Sequence, residues 1–171
     1  MRVLLLALPA FAAGCSSAVE DGFAELPGFG VLAWLDNDGS PMAYLCGQGD
    51  RVSDTSWLNG QGNEVSGAGW TASVKGGTVS VSGDSESFEG EMVPFQSGGL
   101  FDAAPDGCRT GLILYGEGAD GALSAAGTWC DLEGSFAQVE PIETVIGRLE
   151  EVQVQVLRGE DTLQFAMQRI Q

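Results

Sequence analysis

Residues 151–169 read EVQVQVLRGEDTLQFAMQR. Val152, Val154 and Val156 alternate with Gln153 and Gln155. Arg158-Gly159-Glu160-Asp161 interrupts the run, and Leu163, Phe165 and Met167 then resume it. A period of two places successive side chains on opposite faces of a strand. Glycine within a short polar turn lets the chain reverse. The stretch therefore predicts an antiparallel hairpin with one apolar and one polar face, the signature of a half-buried sheet.

The same grammar runs back along the chain. Gly30–Leu35 and Met42–Cys46 flank the turn residues Asp36-Asn37-Asp38-Gly39. Trp70–Val74 and Thr78–Ser82 flank Lys75-Gly76-Gly77. Thr110–Tyr115 and Ala122–Cys130 flank Gly-Glu-Gly-Ala-Asp-Gly. Ser87–Phe95 reads as a further strand, with Phe88 and Val93 toward the core. In Glu143–Glu151, the β-branched Val145 and Ile146 and the interrupting Gly147 favour strand or loop over helix. No helical stripe and no sharp linker emerges. About nine or ten short strands predict an all-β fold: a single antiparallel barrel-like domain built of consecutive hairpins over residues 26–171, with a β-sandwich as the alternative. Two hairpins, GVLAWLDNDGSPMAYLC and GLILYGEGADGALSAAGTWC, share one plan: an apolar strand, an acidic glycine turn, and a strand ending in an aromatic residue and a cysteine.

The N-terminus carries an export signal. Arg2 precedes an apolar run, Val3–Ala13, which is too short to span a bilayer. Ala13-Gly14-Cys15 resembles the bacterial lipobox, in which the signal is cut before the cysteine and lipid is attached to its sulfur. The reading assigns residues 1–14 to the signal peptide and residues 15–25 to the lipidated Cys15 and a tether. Ala12, where leucine is usual, departs from the lipobox pattern. Ordinary cleavage after Ala10-Phe11-Ala12, giving a secreted or periplasmic protein, is the alternative. Ser16 and Ser17 follow the cysteine and no Asp stands at the next position, which by resemblance to enterobacterial lipoprotein sorting implies the outer membrane or the cell surface.

The composition excludes several chemistries. Asp and Glu number 24 against 7 Lys and Arg, a net charge of −17, and histidine is absent. Nucleic acid is a poor partner for such a surface. A Ser-His-Asp triad, a Cys-His pair and His-ligated zinc are all ruled out. The expectation is a non-enzyme without cofactor or metal, monomeric, held at the membrane by the lipid on Cys15.

Lipidation of Cys15 leaves Cys46, Cys108 and Cys130, and export favours disulfides. A hairpin folded about Ala119 sets Tyr115 opposite Leu123 and Cys108 opposite Cys130, within bridging range. Cys108–Cys130 is the predicted disulfide, with Cys46 a buried free thiol.

Candidate sites are few. Trp57 and Trp70, with Asn59, Gln61 and Asn63 between them, have the residue types of a sugar platform, indole for stacking and amides for hydroxyls. Core packing joined by a polar loop explains the same residues. Trp34 and Trp129 lie within apolar strands and are assigned to the core. Asp36–Gly39 has calcium-loop residues but lacks the later bidentate glutamate, so a turn accounts for it. Glu89–Glu91, Glu117–Asp120 and Asp131–Glu133 are the close carboxylate pairs that acid–base hydrolysis would need.

The segment AYLCGQGDRVSDTSWLNG, with FEGEMVPF and GGLFDAAPDGCRTGLILYGEGADG, resembles small exported bacterial β domains, actinobacterial ones among them. Tyr44, Cys46, Trp57, Leu58 and Gly60 carry the match. The longer loop Asp50–Ser56 departs from the shortest versions. The resemblance implies an exported β domain and transfers no catalytic residue. The expected function is a lipid-anchored envelope domain that binds an envelope protein, peptide or glycan, or plays a structural part. The alternatives are a carboxylate-dependent hydrolase and an acidic inhibitor or immunity-type module.

Overall fold

The computed structural model describes residues 19–170. The signal peptide, Cys15 and the start of the tether lie outside the described residues.

The fold is all-β and barrel-like, as expected, and its strands are shared between two antiparallel sheets. The first sheet holds β1 (Gly22–Leu26), β2 (Gly30–Leu35), β3 (Met42–Gly47), β4 (Ser56–Gln61), β5 (Glu64–Gly67), β6 (Trp70–Lys75), β7 (Thr78–Ser82), β8 (Ser87–Glu91) and β9 (Val93–Pro94). Its edges are β8 and β9. Only Met92 separates these two in the chain, so one bent segment pairs with β7 through Ser87–Glu91 and with β1 through Val93–Pro94. The sheet thereby curls round its own core of Leu26, Leu32, Trp34, Leu45, Leu58, Val79 and their neighbours. Gly90 lies so close to the Glu25 carbonyl that a Cβ there would collide with it.

The second sheet is a closed barrel of β10 (Gly99–Ala103), β11 (Thr110–Tyr115), β12 (Ser124–Cys130), β13 (Phe136–Pro141), β14 (Glu151–Arg158) and β15 (Asp161–Arg169). The β14–β15 hairpin forms as its alternation dictates. Val152 faces Met167, Val154 faces Phe165 and Val156 faces Leu163. All six belong to the barrel core or pack against it.

The two sheets pack side by side. Phe23, Val31, Ala33, Leu35, Tyr44 and Cys46 meet Leu100, Ile113, Tyr115 and Ala126 in a third buried cluster. The two hairpins that share one sequence plan, β2–β3 and β11–β12, supply most of this contact. Their strands are buried on both faces, which explains why GVLAWL, MAYLC and TGLILY are almost continuously apolar rather than alternating.

Several expectations change. Among the described residues, fifteen strands replace the nine or ten. The tether ends earlier than residue 25, because Gly22–Leu26 is already strand, with Phe23 and Ala24 buried. The β4–β5 hairpin and β10 are short or glycine-rich, and β13 buries Val139 alone. Val93 is 40% exposed instead of core, because the bend at Met92 turns it outward, while Phe88 packs against the first core. Residues 143–150 form a loop with one bridge, Ala122 to Ile146, and Val145 fills the barrel.

The disulfide Cys108–Cys130 is present, with Cα atoms 5.5 Å apart, and Cys46 is buried and free. The register behind it differs by one residue. Tyr115 pairs with Ser124, not Leu123. Cys108 lies in the bend before β11, outside the ladder, and that bend brings it to Cys130. Among the described residues, no helix is long and apolar enough to cross a membrane.

Candidate functional site

The junction between the sheets is fixed by polar contacts within its apolar cluster. The Tyr44 hydroxyl donates to the Gly111 carbonyl at 3.1 Å and accepts from the Thr128 amide at 3.1 Å. Gly111 has no side chain because the Tyr44 ring occupies that space: a Cβ would lie 2.5 Å from Cζ. Thr128 Oγ1 lies 3.6 Å from Cys46 Sγ and 3.0 Å from Thr55 Oγ1. Burial pushes the Cys46 thiol from 9.0 up to about 11, so it stays protonated and unreactive at neutral pH.

On the flank of the junction, Trp57 Nε1 donates to the Arg109 carbonyl at 2.9 Å. The Arg109 guanidinium stacks 3.8 Å from the Trp57 ring centroid, and its Nε donates to Asp102 at 2.8 Å. Trp57 thus ties one sheet to the other.

Near one end, the junction opens at Tyr115. Its ring packs 5.1 Å from Phe23, which in turn lies 5.8 Å from Phe95. On one side is an open cleft of about 640 Å³, walled by the β1–β2 turn at Pro27–Phe29 and by a 3-10 helix at Gly49–Asp54. Glu25, Gln48, Asp50, Arg51 and Tyr115 line it. On the other side, a smaller pocket of about 260 Å³ is lined by Phe23, Phe95, Tyr115 and the backbone around Gly98.

The cleft is rich in hydrogen-bond acceptors. The Glu25 and Asp50 carboxylates and the Gln48 amide are exposed. Arg51 is already engaged: Nη1 donates to Asp54 at 3.2 Å and Nη2 to Glu86, while the guanidinium lies over the Phe29 and Phe88 rings at 5.9 and 5.6 Å. The bond to Glu86, followed by that to Asp54, raises the Arg51 pKa. Burial, and then the charge of Glu25, raise the Tyr115 phenol above its ordinary value. The phenol therefore stands in a negative field and is retained as a neutral donor.

The residues proposed as a sugar platform do not converge. Trp57, Asn59 and Gln61 point outward from β4, opposite to the buried Leu58. Trp57 packs on the junction, 4.5 Å from Tyr44. Trp70 lies on the inward face of β6, against Phe29 and Phe88. Asn63 sits in the β4–β5 turn, and its amide donates to the Val74 carbonyl at 3.0 Å. The period of two, over an odd residue offset and the two turns that flank β5, sends the two indoles to opposite faces of the sheet. Trp34 is buried in the core of the nine-stranded sheet and Trp129 in that of the closed barrel. Trp129 Nε1 donates to Asp106.

The acidic motifs serve turns. Asp36 Oδ1 accepts from the Gly39 amide, and Asp120 Oδ1 from Ala122. Asp131 Oδ1 accepts from the amides of Glu133 and Ser135, and the Ser135 bond lowers its pKa. Glu89 and Glu91 share one exposed face of β8, where Ser80 donates to Glu89. Among the described residues, no group of three or more His, Cys, Asp or Glu is placed to hold a metal.

The cleft around Tyr115 was not singled out by motif. In the sequence Tyr115 ends an apolar strand, Glu25 falls within the assigned tether, and Gln48 belongs to no chemical motif. Only the packing of one sheet on the other brings them together. Comparison with protein-family models, curated proteins and solved structures gives no match.

Proposed function

We propose that the chain is an exported, lipid-anchored binding domain of the bacterial envelope, and that its ligand seats in the cleft at Tyr115. The lipobox-like Ala13-Gly14-Cys15 supports the anchor, and the Cys108–Cys130 disulfide suits an oxidising compartment. The observation that carries the binding site is the acceptor-rich cleft. Exposed Glu25, Gln48 and Asp50 face a space floored by a neutral phenol, while the one cation of the wall is tied to Asp54 and Glu86. Such a wall suits a ligand rich in donors, such as the hydroxyls and amines of an envelope glycan or a basic peptide.

Paired-carboxylate hydrolysis needs one acid held away from water. Glu25 and Asp50 are both exposed, as are Glu89 and Glu91, so binding is the reading the cleft favours over hydrolysis.

The anchor is tested by expressing the full chain in a bacterium fed an alkyne-bearing fatty acid. The expected result is label on the wild type and none on Cys15→Ala. The site is tested by titrating the Cys15→Ala chain with peptidoglycan fragments and with oligolysine, at low and high salt. Glu25→Gln with Asp50→Asn is expected to weaken the responding probe about tenfold, or roughly 1.4 kcal/mol. Undiminished binding by that variant would move the site elsewhere.

A further inference from the structure

We infer that the end of the nine-stranded sheet at which the chain enters faces the bilayer, and that the Tyr115 cleft is the membrane-distal surface, presented to a water-borne partner. This rests on the lipidation of Cys15 proposed above.

The chain is pinned almost as soon as it leaves the anchor. Val19 packs against the core of the first sheet. The Asp21 carbonyl accepts from the Phe95 amide at 3.2 Å, and Asp21 Oδ1 accepts from the Asp36 amide at 2.7 Å. Only Ser16, Ser17 and Ala18 separate Cys15 from Val19. Four Cα steps reach at most about 14 Å, at 3.3–3.6 Å each. The entry end is thus held within a few water layers of the lipid headgroups, with no slack to turn the domain over.

Topology places the cleft at the other end. β1 runs from Gly22 to Leu26, a rise of roughly 14 Å at about 3.4 Å per residue. The cleft begins at Glu25 and Leu26 and continues through the turn beyond them. Strand pairing sorts the loops in the same way. The turns after β2, β4 and β6 lie at the entry end, and those after β1, β3, β5 and β7 lie at the cleft end.

Charge sets the spacing while the short tether sets the pose. Glu20, Asp36 and Asp38 line the entry end, with Lys75 as its cation. Anionic headgroups repel such a surface within about a Debye length, roughly 8 Å at physiological ionic strength. The domain is therefore held just off the bilayer while its tether keeps it near.

The test uses the full acylated chain in vesicles of phosphatidylethanolamine and phosphatidylglycerol carrying nitroxide headgroups. A fluorophore is placed on Asn37→Cys, in the turn after β2, or on Asp84→Cys, in the turn after β7. Both positions are exposed; Cys46 is buried and the other described cysteines are bridged. Intact mass first establishes the acyl group on Cys15. The expected result is quenching several-fold stronger at position 37 than at 84. Equal or inverted quenching in an acylated, vesicle-bound chain would overturn the orientation alone. A chain that carries no acyl group on Cys15 would overturn the anchor and the orientation with it.

Discussion

The Tyr44 hydroxyl of the nine-stranded sheet donates to the Gly111 carbonyl of the closed barrel at 3.1 Å, across the seam that joins the two halves of the molecule. The contact requires both residue types. The phenol reaches across because Gly111 leaves its place empty, and the hydroxyl also accepts the Thr128 amide in the same buried region. Gly111→Ala drives a methyl into the ring, and overpacking of this kind costs about 1–3 kcal/mol. Tyr44→Phe keeps the ring but leaves the Thr128 amide without its side-chain partner, at a cost of about 1–3 kcal/mol. Urea unfolding should show both losses. Adding Tyr44→Phe to Gly111→Ala should restore nothing, because the clash is with the ring. An unchanged midpoint for Gly111→Ala would mean that the seam is looser than this packing.

Cys108 and Cys130 close a loop across the β11–β12 hairpin. Restricting the unfolded chain over a separation of 22 residues contributes about 3 kcal/mol. The double serine variant should lose that amount in urea under oxidising conditions, and dithiothreitol should produce the same loss in the wild type and none in the variant. A wild type insensitive to reduction would show that the bridge adds nothing to stability.

This disulfide also shows how much of the molecule is legible in its sequence. The pairing of Cys108 with Cys130 follows from hairpin arithmetic, although the ladder itself is shifted by one residue. The bend at Cys108 absorbs the shift, and a bend outside a strand has no period to read. The hairpins with strong alternation or acidic glycine turns, such as β14–β15 and β2–β3, stand where the pattern puts them. Those built from small or polar residues, Ser56–Gln61 with Glu64–Gly67, gave no pattern to follow. Two sheets instead of one could not be read from periodicity. The contact that separates them is made by strands buried on both faces, and their continuous apolar runs look the same whether the second face meets another sheet or the inside of one barrel. For the same reason the Tyr115 cleft, which needs both sheets, has no local signature.

Cys46 makes stability depend on alkaline pH. Burial raises its folded pKa from 9.0 to about 11. Below about pH 9 the thiol is protonated in both states and its contribution is fully present. Above that, the unfolded chain ionises and the folded chain does not. Stability then falls by up to about 1.4 kcal/mol per pH unit until the folded thiol itself titrates. Urea midpoints measured from pH 8 to the folded value of about 11 should decline, and Cys46→Ala should flatten that decline even if it starts lower. In the native Cys15→Ala chain, where Cys46 is the one unbridged thiol, Ellman's reagent should react only at the rate of unfolding. Prompt reaction would place the thiol at the surface.

The Trp57–Arg109 stack can be read by fluorescence. Arg109→Ala removes a guanidinium 3.8 Å from the indole and its bond to Asp102. A partly exposed cation–π contact contributes about 0.5–1 kcal/mol. The variant should be destabilised by about that much, and Trp57 should emit further to the red as water replaces the cation. The Trp57→Phe background should lose the spectral response. If Arg109→Ala leaves emission unchanged there is no stack, even if stability falls.

The electrostatics of the cleft are testable through its phenol. The chain has two tyrosines, Tyr44 and Tyr115, and burial raises both above the ordinary value of about 10. The near-ultraviolet phenolate band should therefore appear late in an alkaline titration. Tyr44→Phe isolates the Tyr115 signal, and in that background Glu25→Gln removes the carboxylate that adds to its shift. The Tyr115 midpoint should move down toward the ordinary value without reaching it, because burial is the larger cause. The linkage has a definite sign. A raised phenol contributes stability that is complete below about pH 10 and lost above it, so Glu25→Gln should also reduce the alkaline loss of stability. Added salt should shift the wild-type midpoint downward and leave that of Glu25→Gln nearly fixed, since salt screens the same carboxylate. A Tyr115 midpoint that ignores both Glu25→Gln and salt would mean that Glu25 does not face the phenol. The donor-rich ligand assigned to the cleft would then lose its electrostatic basis.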